Sequence, residues 1–430
     1  MSEFHQDLTL AFHSPASFES AEPEVPQSAP VEPAAITVDD IMDTREEREE
    51  VADAACEVPE EVERDLKFID KSEQIAEVVT GAVQAASNVE PAHAEAFVTA
   101  ANGVIKDASQ TLQVDIPLLA NVADGSVDQV SLESLTGWLG TAAKAFAEAT
   151  GRFFTRMKTG WLRLNTSVGG FKGRIQRVRT KMVSRKGNGG KALKLDRDII
   201  ASLIVGDGIP SDYMAGANAL AKVVSEASAI LGEYQARVDA KIKTAVFEAV
   251  SGRENDRFLV VDQNDLNTRF DKLLNEQPKL MFGNQRLEKL ERRMSQVLCY
   301  ALVNKDPQAS ELAKHVDAPV SLSNEQIRAL LDQLDPAVAE YLRQVEKLAD
   351  LAERSQSNCK AMLGRLMKEP EGGDDTDLDV EFNDTELLRI ENELVGELAR
   401  ISSRQMQFAG AVIAAYNAVL TVAEESIFQD

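Results

Sequence analysis

Between Phe153 and Met182 the large apolar residues fall at Phe153, Met157, Trp161, Leu164, Val168, Phe171, Ile175, Val178 and Met182, always three or four apart. That spacing gathers them on one face of an α-helix, whereas a strand, with its period of two, would scatter them over both faces. So long an amphipathic helix, or two collinear ones, needs other helices to cover its stripe, and this constrains the chain to helix-on-helix packing. Composition points the same way. Aromatic residues make up only 5% of the chain while hydrophobic residues make up 44%, and the abundant Ala, Glu, Leu and Val favour helices over a sheet-rich fold. The chain reads as all-α.

Charge divides the chain sharply. Residues 1–133 carry 29 Asp and Glu against 6 Lys and Arg, a net of −23 in a protein whose total is −25, which leaves −2 for residues 134–430. Within that remainder, residues 134–197 hold fifteen Lys and Arg against Glu148 and Asp196, a net of +13. The acidic leader and the basic segment therefore attract one another in the intact chain, and a cut near Glu133 would free the basic face for another polyanion.

The order of segments follows from these shifts. Residues 1–37 repeat Ser, Ala, Glu and Pro, with Pro15, Pro23, Pro26, Pro30 and Pro33 too close together for a helix, and read as disordered. Residues 38–133 read as an acidic helical segment that ends in a connector through Ile116, Pro117 and Gly125. Residues 134–197 are the basic amphipathic segment, closed by the polar, Gly-rich run Lys186-Gly187-Asn188-Gly189-Gly190-Lys191, which reads as a flexible linker. Residues 198–430 read as a bundle of long helices with an acidic linker near 369–384. Helices are expected over 210–251, after Asn264, from Gln285 to Val303, from Pro336 to about Met367 and from Thr385 to Phe428, and Arg257 to Val261 reads as a lone strand or buried linker. Ser323 with Gln326 forms a capping box, and Asp335-Pro336 reads as a further helix start.

Few residues offer catalytic chemistry. Three of the four histidines, His5, His13 and His93, lie in the leader, and His315 stands beside Lys314 as a surface residue would. The three cysteines, Cys56, Cys299 and Cys359, are far apart and make neither a disulfide framework nor a zinc set. The Gly-rich run lacks the first Gly and the Ser or Thr of a phosphate loop, since Arg185 and Ala192 occupy those places. Asp374, Asp375, Asp377 and Asp379 lack the Gly and terminal Glu of a calcium loop and read as a solvated linker. Neither an enzyme nor a cofactor or metal site is expected. No secretory signal and no run of about 18 apolar residues is found, so no stable membrane span is expected.

Three readings of the basic segment remain open. It is a solvated helix face; or a surface for nucleic acid, bound by phosphate contact without sequence readout; or an interfacial membrane helix, with Trp138, Phe153, Phe154 and Trp161 beside Lys and Arg. Phosphate contact would draw on Arg152, Arg156, Lys158, Arg163, Lys172, Arg174, Arg177, Arg179, Lys181, Arg185 and Lys186. Helical partners within one stretch are scarce, so acidic groups from elsewhere should lie opposite it.

The arrangement of an acidic leader, an Ile-Pro turn, the element Ser131-Leu132-Glu133-Ser134 and a basic helix bearing Trp and Phe resembles the internal head proteins of large tailed bacteriophages. The resemblance implies packing inside the prohead, contact with other capsid-interior proteins, trimming by the prohead maturation protease and residence beside packaged double-stranded DNA. That protease cuts after a Glu with a small residue two positions earlier. Ser131-Leu132-Glu133 fits, as do Ser17-Phe18-Glu19, Ser20-Ala21-Glu22 and Ala55-Cys56-Glu57, and Glu133 alone falls at the charge boundary. The expectation is thus a virion protein cleaved after Glu133, which would make residues 38–133 an acidic helical propeptide. The alternatives are a bacterial helical effector or toxin-like protein acting at membranes, and a helical scaffold or adaptor.

Overall fold

The computed structural model describes most of residues 44–69, three positions between 102 and 106, and residues 132–183, 185, 189–251, 261–290, 299–305, 319–366 and 378–428. Within its long helices the side chains of 132–149, 168, 243–251 and 361–393 lie outside that description. The expected disordered tail 1–37, the Ile116-Pro117 connector and the stretch Arg257 to Val260 also fall outside it.

The apolar stripe becomes a single helix, α1, Leu132–Met182. Phe153, Met157, Trp161, Leu164, Phe171, Ile175, Val178 and Met182 are all buried, so the three-and-four spacing marks the face that packs. The short α2, Arg197–Leu203, is followed by α3, Tyr213–Ser251, and α4, Asn264–Glu276. Two helices of 43 and 51 residues complete the bundle: α5, Asn324–Leu366, and α6, Leu378–Phe428. α6 begins inside the stretch expected to be an acidic linker. The helices α1 and α3 each lie against both α5 and α6, and α5 and α6 lie against one another. One apolar core runs through all four, and the described part of the leader joins it through Val51, Ala54, Ala55, Val62 and Ile69.

α6 is the helix the others surround. From Leu394 to Phe428 it is long and apolar enough to cross a membrane by composition alone, with a mean hydropathy of 1.5, a property not expected from the sequence. In the bundle 83% of its most apolar window is buried, which makes it a core helix.

Three local expectations are corrected. First, Gln285 to Val303 is not a helix. Gln285–Lys289 (β1) pairs antiparallel with Tyr300–Asn304 (β2), Leu287 opposite Leu302. The side chain of Gln277 acts as a substitute strand on the outer edge: its amide donates to the Leu287 carbonyl at 2.7 Å, and its oxygen accepts the Leu287 N–H at 3.0 Å. Tyr300 stacks on Phe270, with ring centroids 4.2 Å apart, and donates its hydroxyl to Asp271, which fixes the hairpin on α4.

Second, Pro336 starts no helix, because α5 runs through it. A proline there removes the N–H that would bond the Asp332 carbonyl, and burial of Leu330, Leu331, Leu334, Val338 and Tyr341 on both sides of it holds the helix together. The capping box at Ser323 is present, Gln326 Oε1 accepting the Ser323 N–H at 2.9 Å and Ser323 Oγ accepting the Gln326 N–H at 3.3 Å.

Third, the part of the Gly-rich run that the structure describes is a packed turn. Gly190 N–H donates to Ser321 O and Ser321 N–H to Lys191 O, and Ala192 bridges Val320. Gly189 has φ +77°, and a Cβ there would sit 2.6 Å from Ser321 O, so only glycine fits. The turn at Phe282–Asn284 interlocks with the loop after α2. Asn284, with φ 50°, accepts the Gly206 N–H at 2.6 Å and donates back to the Gly206 carbonyl at 3.1 Å. These side-chain bonds hold a left-handed conformation that a non-glycine residue otherwise avoids.

On the surface, Arg237 makes a two-pronged ion pair with Asp265 and also donates to the Asp262 carbonyl, tying α3 to α4. The guanidinium lowers the Asp265 carboxyl to about 2. Its folded pKa is depressed, so its contribution to stability is present above the ordinary carboxylate range and is lost as pH falls from about 4 towards 2. A carboxyl titration followed by NMR should give a midpoint near 2 for Asp265, moving up to the ordinary value in Arg237→Gln. Because the pair is exposed, the fold should tolerate that substitution.

Candidate nucleic-acid interface

The cations of α1 separate into two groups along its length. Arg152, Arg156 and Arg163, at intervals of four and seven, share one flank of the helix and are exposed. Lys158 and Lys172 are exposed on the other side of the apolar stripe. Lys158 meets Glu353 of α5 at 2.7 Å in a solvent-exposed pair, and the lysine lowers the Glu353 carboxyl. Such a pair holds its lysine weakly.

Towards the C-terminal end of α1 the cations are engaged by the protein. Arg174 is fully buried: Nε and Nη2 donate to the two Glu424 carboxylate oxygens, both at 2.8 Å, and Nη1 donates to Asn417 Oδ1 at 2.6 Å. Its guanidinium carbon also lies 5.5 Å from the centre of the Phe171 ring. Arg174 was expected to meet phosphate, and this is corrected, because its charge is consumed inside the bundle in the two-pronged geometry that suits a guanidinium and a carboxylate. Arg177 pairs with Glu47 of the leader. Arg179 pairs with Asp335 at 2.9 Å and Asp332 at 3.3 Å, both in the turn that leads into Pro336. Arg185 donates to the Leu322 carbonyl at 2.7 Å and fastens the end of α1 to the start of α5. Lys181 is half-buried, and Lys186 lies outside the described residues.

Acidic groups thus do lie opposite part of the basic helix, from both the leader and the bundle. Arg48 of the leader adds a second cation to the same cluster, 2.9 Å from Glu424 and 2.6 Å from Glu425. Asn417 completes it by donating to the Arg48 carbonyl at 3.3 Å. Sequence reasoning passed over Arg48, Asn417, Glu424 and Glu425. One signal was available: Glu424-Glu425 interrupts a run from Gln405 to Ala423 that carries no charge, and a carboxylate inside so apolar a helix needs a partner.

The proposed cleavage element is split by the limits of the structure. Ser131 lies outside the described residues, while Leu132, Glu133 and Ser134 form the first turn of α1, with their side chains not described. The backbone N–H groups of a first turn have no helical partners, so this end of α1 opens most easily.

Long helices around one core, with a cationic flank on the outside and cross-helix ion pairs within, define the class: an all-α helical bundle. A family model for phiKZ-like phage internal head proteins matches residues 36–425, and the chain belongs to that family. Its place is the interior of the phage head. No curated protein and no solved structure matches it.

Proposed function

We propose that this structural protein of the head interior is processed after Glu133 and lies against packaged double-stranded DNA through the exposed cations of α1. The observation that carries the reading is the exposed flank Arg152, Arg156 and Arg163, which begins within six turns of the charge boundary at Glu133. The contacts would be with phosphates alone, since a row of long cations on a helix flank carries no base-reading geometry. Once Glu47 has left, Arg177 would extend the row, while Lys158 and Lys172 would offer further cations across the apolar stripe from it. The prohead maturation protease and other capsid-interior proteins are the further partners of this reading.

Two measurements test it. Intact-mass analysis of the protein from purified particles should find a chain beginning at Ser134, and a chain beginning near Met1 would remove the processing step. Binding to duplex DNA by the processed chain should weaken steeply with salt, while the full chain, with its acidic leader, binds poorly. Changing Arg152, Arg156 and Arg163 together to Gln should reduce the slope of log K against log salt by about 3, at ~0.9 per lost phosphate contact. An unchanged slope would place the DNA elsewhere or nowhere.

The membrane reading is disfavoured by one observation. Phe153, Phe154 and Trp161, which would enter the lipid, are buried in the bundle, so α1 would have to leave the core to insert. Retention on anionic vesicles with DNA removed would revive it.

A further inference from the structure

The described leader residues between 44 and 69 are helical and pack on α6, and their contacts are those of a designed joint. Val51, Ala55, Val62 and Ile69, at intervals of four and seven, are buried in the same core as the bundle helices, and Ala54 joins them. At the centre the backbones almost touch. A Cβ added to Gly410 of α6 would sit 2.3 Å from the Ala55 carbonyl oxygen and 3.2 Å from Pro59 Cγ. Only a glycine at that point of α6 admits the leader. Beyond this contact lies the polar lock, in which Arg48 reaches Glu424 and Glu425, Asn417 holds the Arg48 carbonyl, and Glu47 pairs with Arg177.

Apolar stripe, glycine-made close approach and charge lock all belong to described positions between 44 and 69. We propose that residues 44–69 form a separable docking helix, and that the groove of α6 and α1 around Gly410 binds it equally well when the connection to the body is cut. The inference deepens the proposed processing, for it means that a cut after Glu133 does not by itself bare Arg177: the severed leader stays in place as a non-covalent subunit until it is removed. The bond itself needs no natural protease, so the test is independent of that reading.

A sequence-specific protease site inserted beside Gly125 in the full chain allows the connector to be cut in the folded protein. After cutting, size-exclusion chromatography with mass analysis should show leader and body eluting together, one to one, and separating in denaturant. A leader fragment that elutes alone from the native cut protein would overturn the proposal. Ala55→Trp, placed on the leader so that the body's sequence is unchanged, should weaken retention about 10- to 100-fold by overfilling the buried place of a side chain whose own carbonyl rests on Gly410. Gly410→Leu should do the same from the other side. Undiminished retention of the Ala55→Trp leader would mean that the groove at Gly410 is not the binding site, whatever becomes of processing at Glu133.

Discussion

Arg174→Met will lower the stability of the folded chain by about 3–5 kcal/mol, because it strands a carboxylate that has no access to water. Glu424 is fully buried and receives two hydrogen bonds from Arg174. Removing the guanidinium leaves Arg48 as the nearest cation, reaching one of the two oxygens. Asn417 loses an acceptor role at the same time. The effect belongs to the unpaired charge more than to the value of the pair, so Arg174→Met combined with Glu424→Met should recover at least half of the loss. Urea unfolding of the single and double variants measures this. A cost below about 1 kcal/mol for Arg174→Met would show that Glu424 is reached by solvent.

Gly216→Ala should also destabilise, by about 1–3 kcal/mol, although alanine is the better helix former by about 1 kcal/mol. A Cβ at Gly216, in the first turns of α3, would lie 2.2 Å from Cε1 of Phe282. That ring cannot easily retreat. It is buried, and its turn is pinned by the Asn284 bonds to Gly206 and by the Asn284 N–H donated to the Ile204 carbonyl. Thermal unfolding of Gly216→Ala and of Gly216→Ala with Phe282→Leu tests the account. The smaller side chain should relieve the overlap, and a stabilised single variant would show that the ring does not press on α3.

How far the sequence could be read depended on the range over which each feature is determined. The buried face of α1 was legible because Phe153, Met157, Trp161 and Leu164 repeat within a few turns, and the Ser323 capping box was legible because both partners lie within four residues. Arg174 was not. It stands eleven residues, about three turns, beyond Arg163 on the same flank, and nothing nearby distinguishes a buried arginine from an exposed one. Its partner Glu424 lies 250 positions on. The hairpin was missed because β1 buries only Leu287 fully and carries no strong alternation. The Phe282-Gly283-Asn284 turn before it and the run Tyr300 to Val303 were its available signals. Pro336 misled for the opposite reason: a strong local signal was overridden by packing on both sides.

The distance along the chain between the leader and α6 sets the order in which this molecule can be made. Asn417 and the Arg48 backbone that it holds are 369 positions apart. At ~5–20 residues per second of synthesis, the leader waits about 20–70 s on the ribosome before its groove exists. Throughout that interval α1 also lacks the helix that neutralises Arg174. The bundle therefore closes only once α6 has been made, and a nascent chain truncated before Asn417 should remain sensitive to proteases along its whole length.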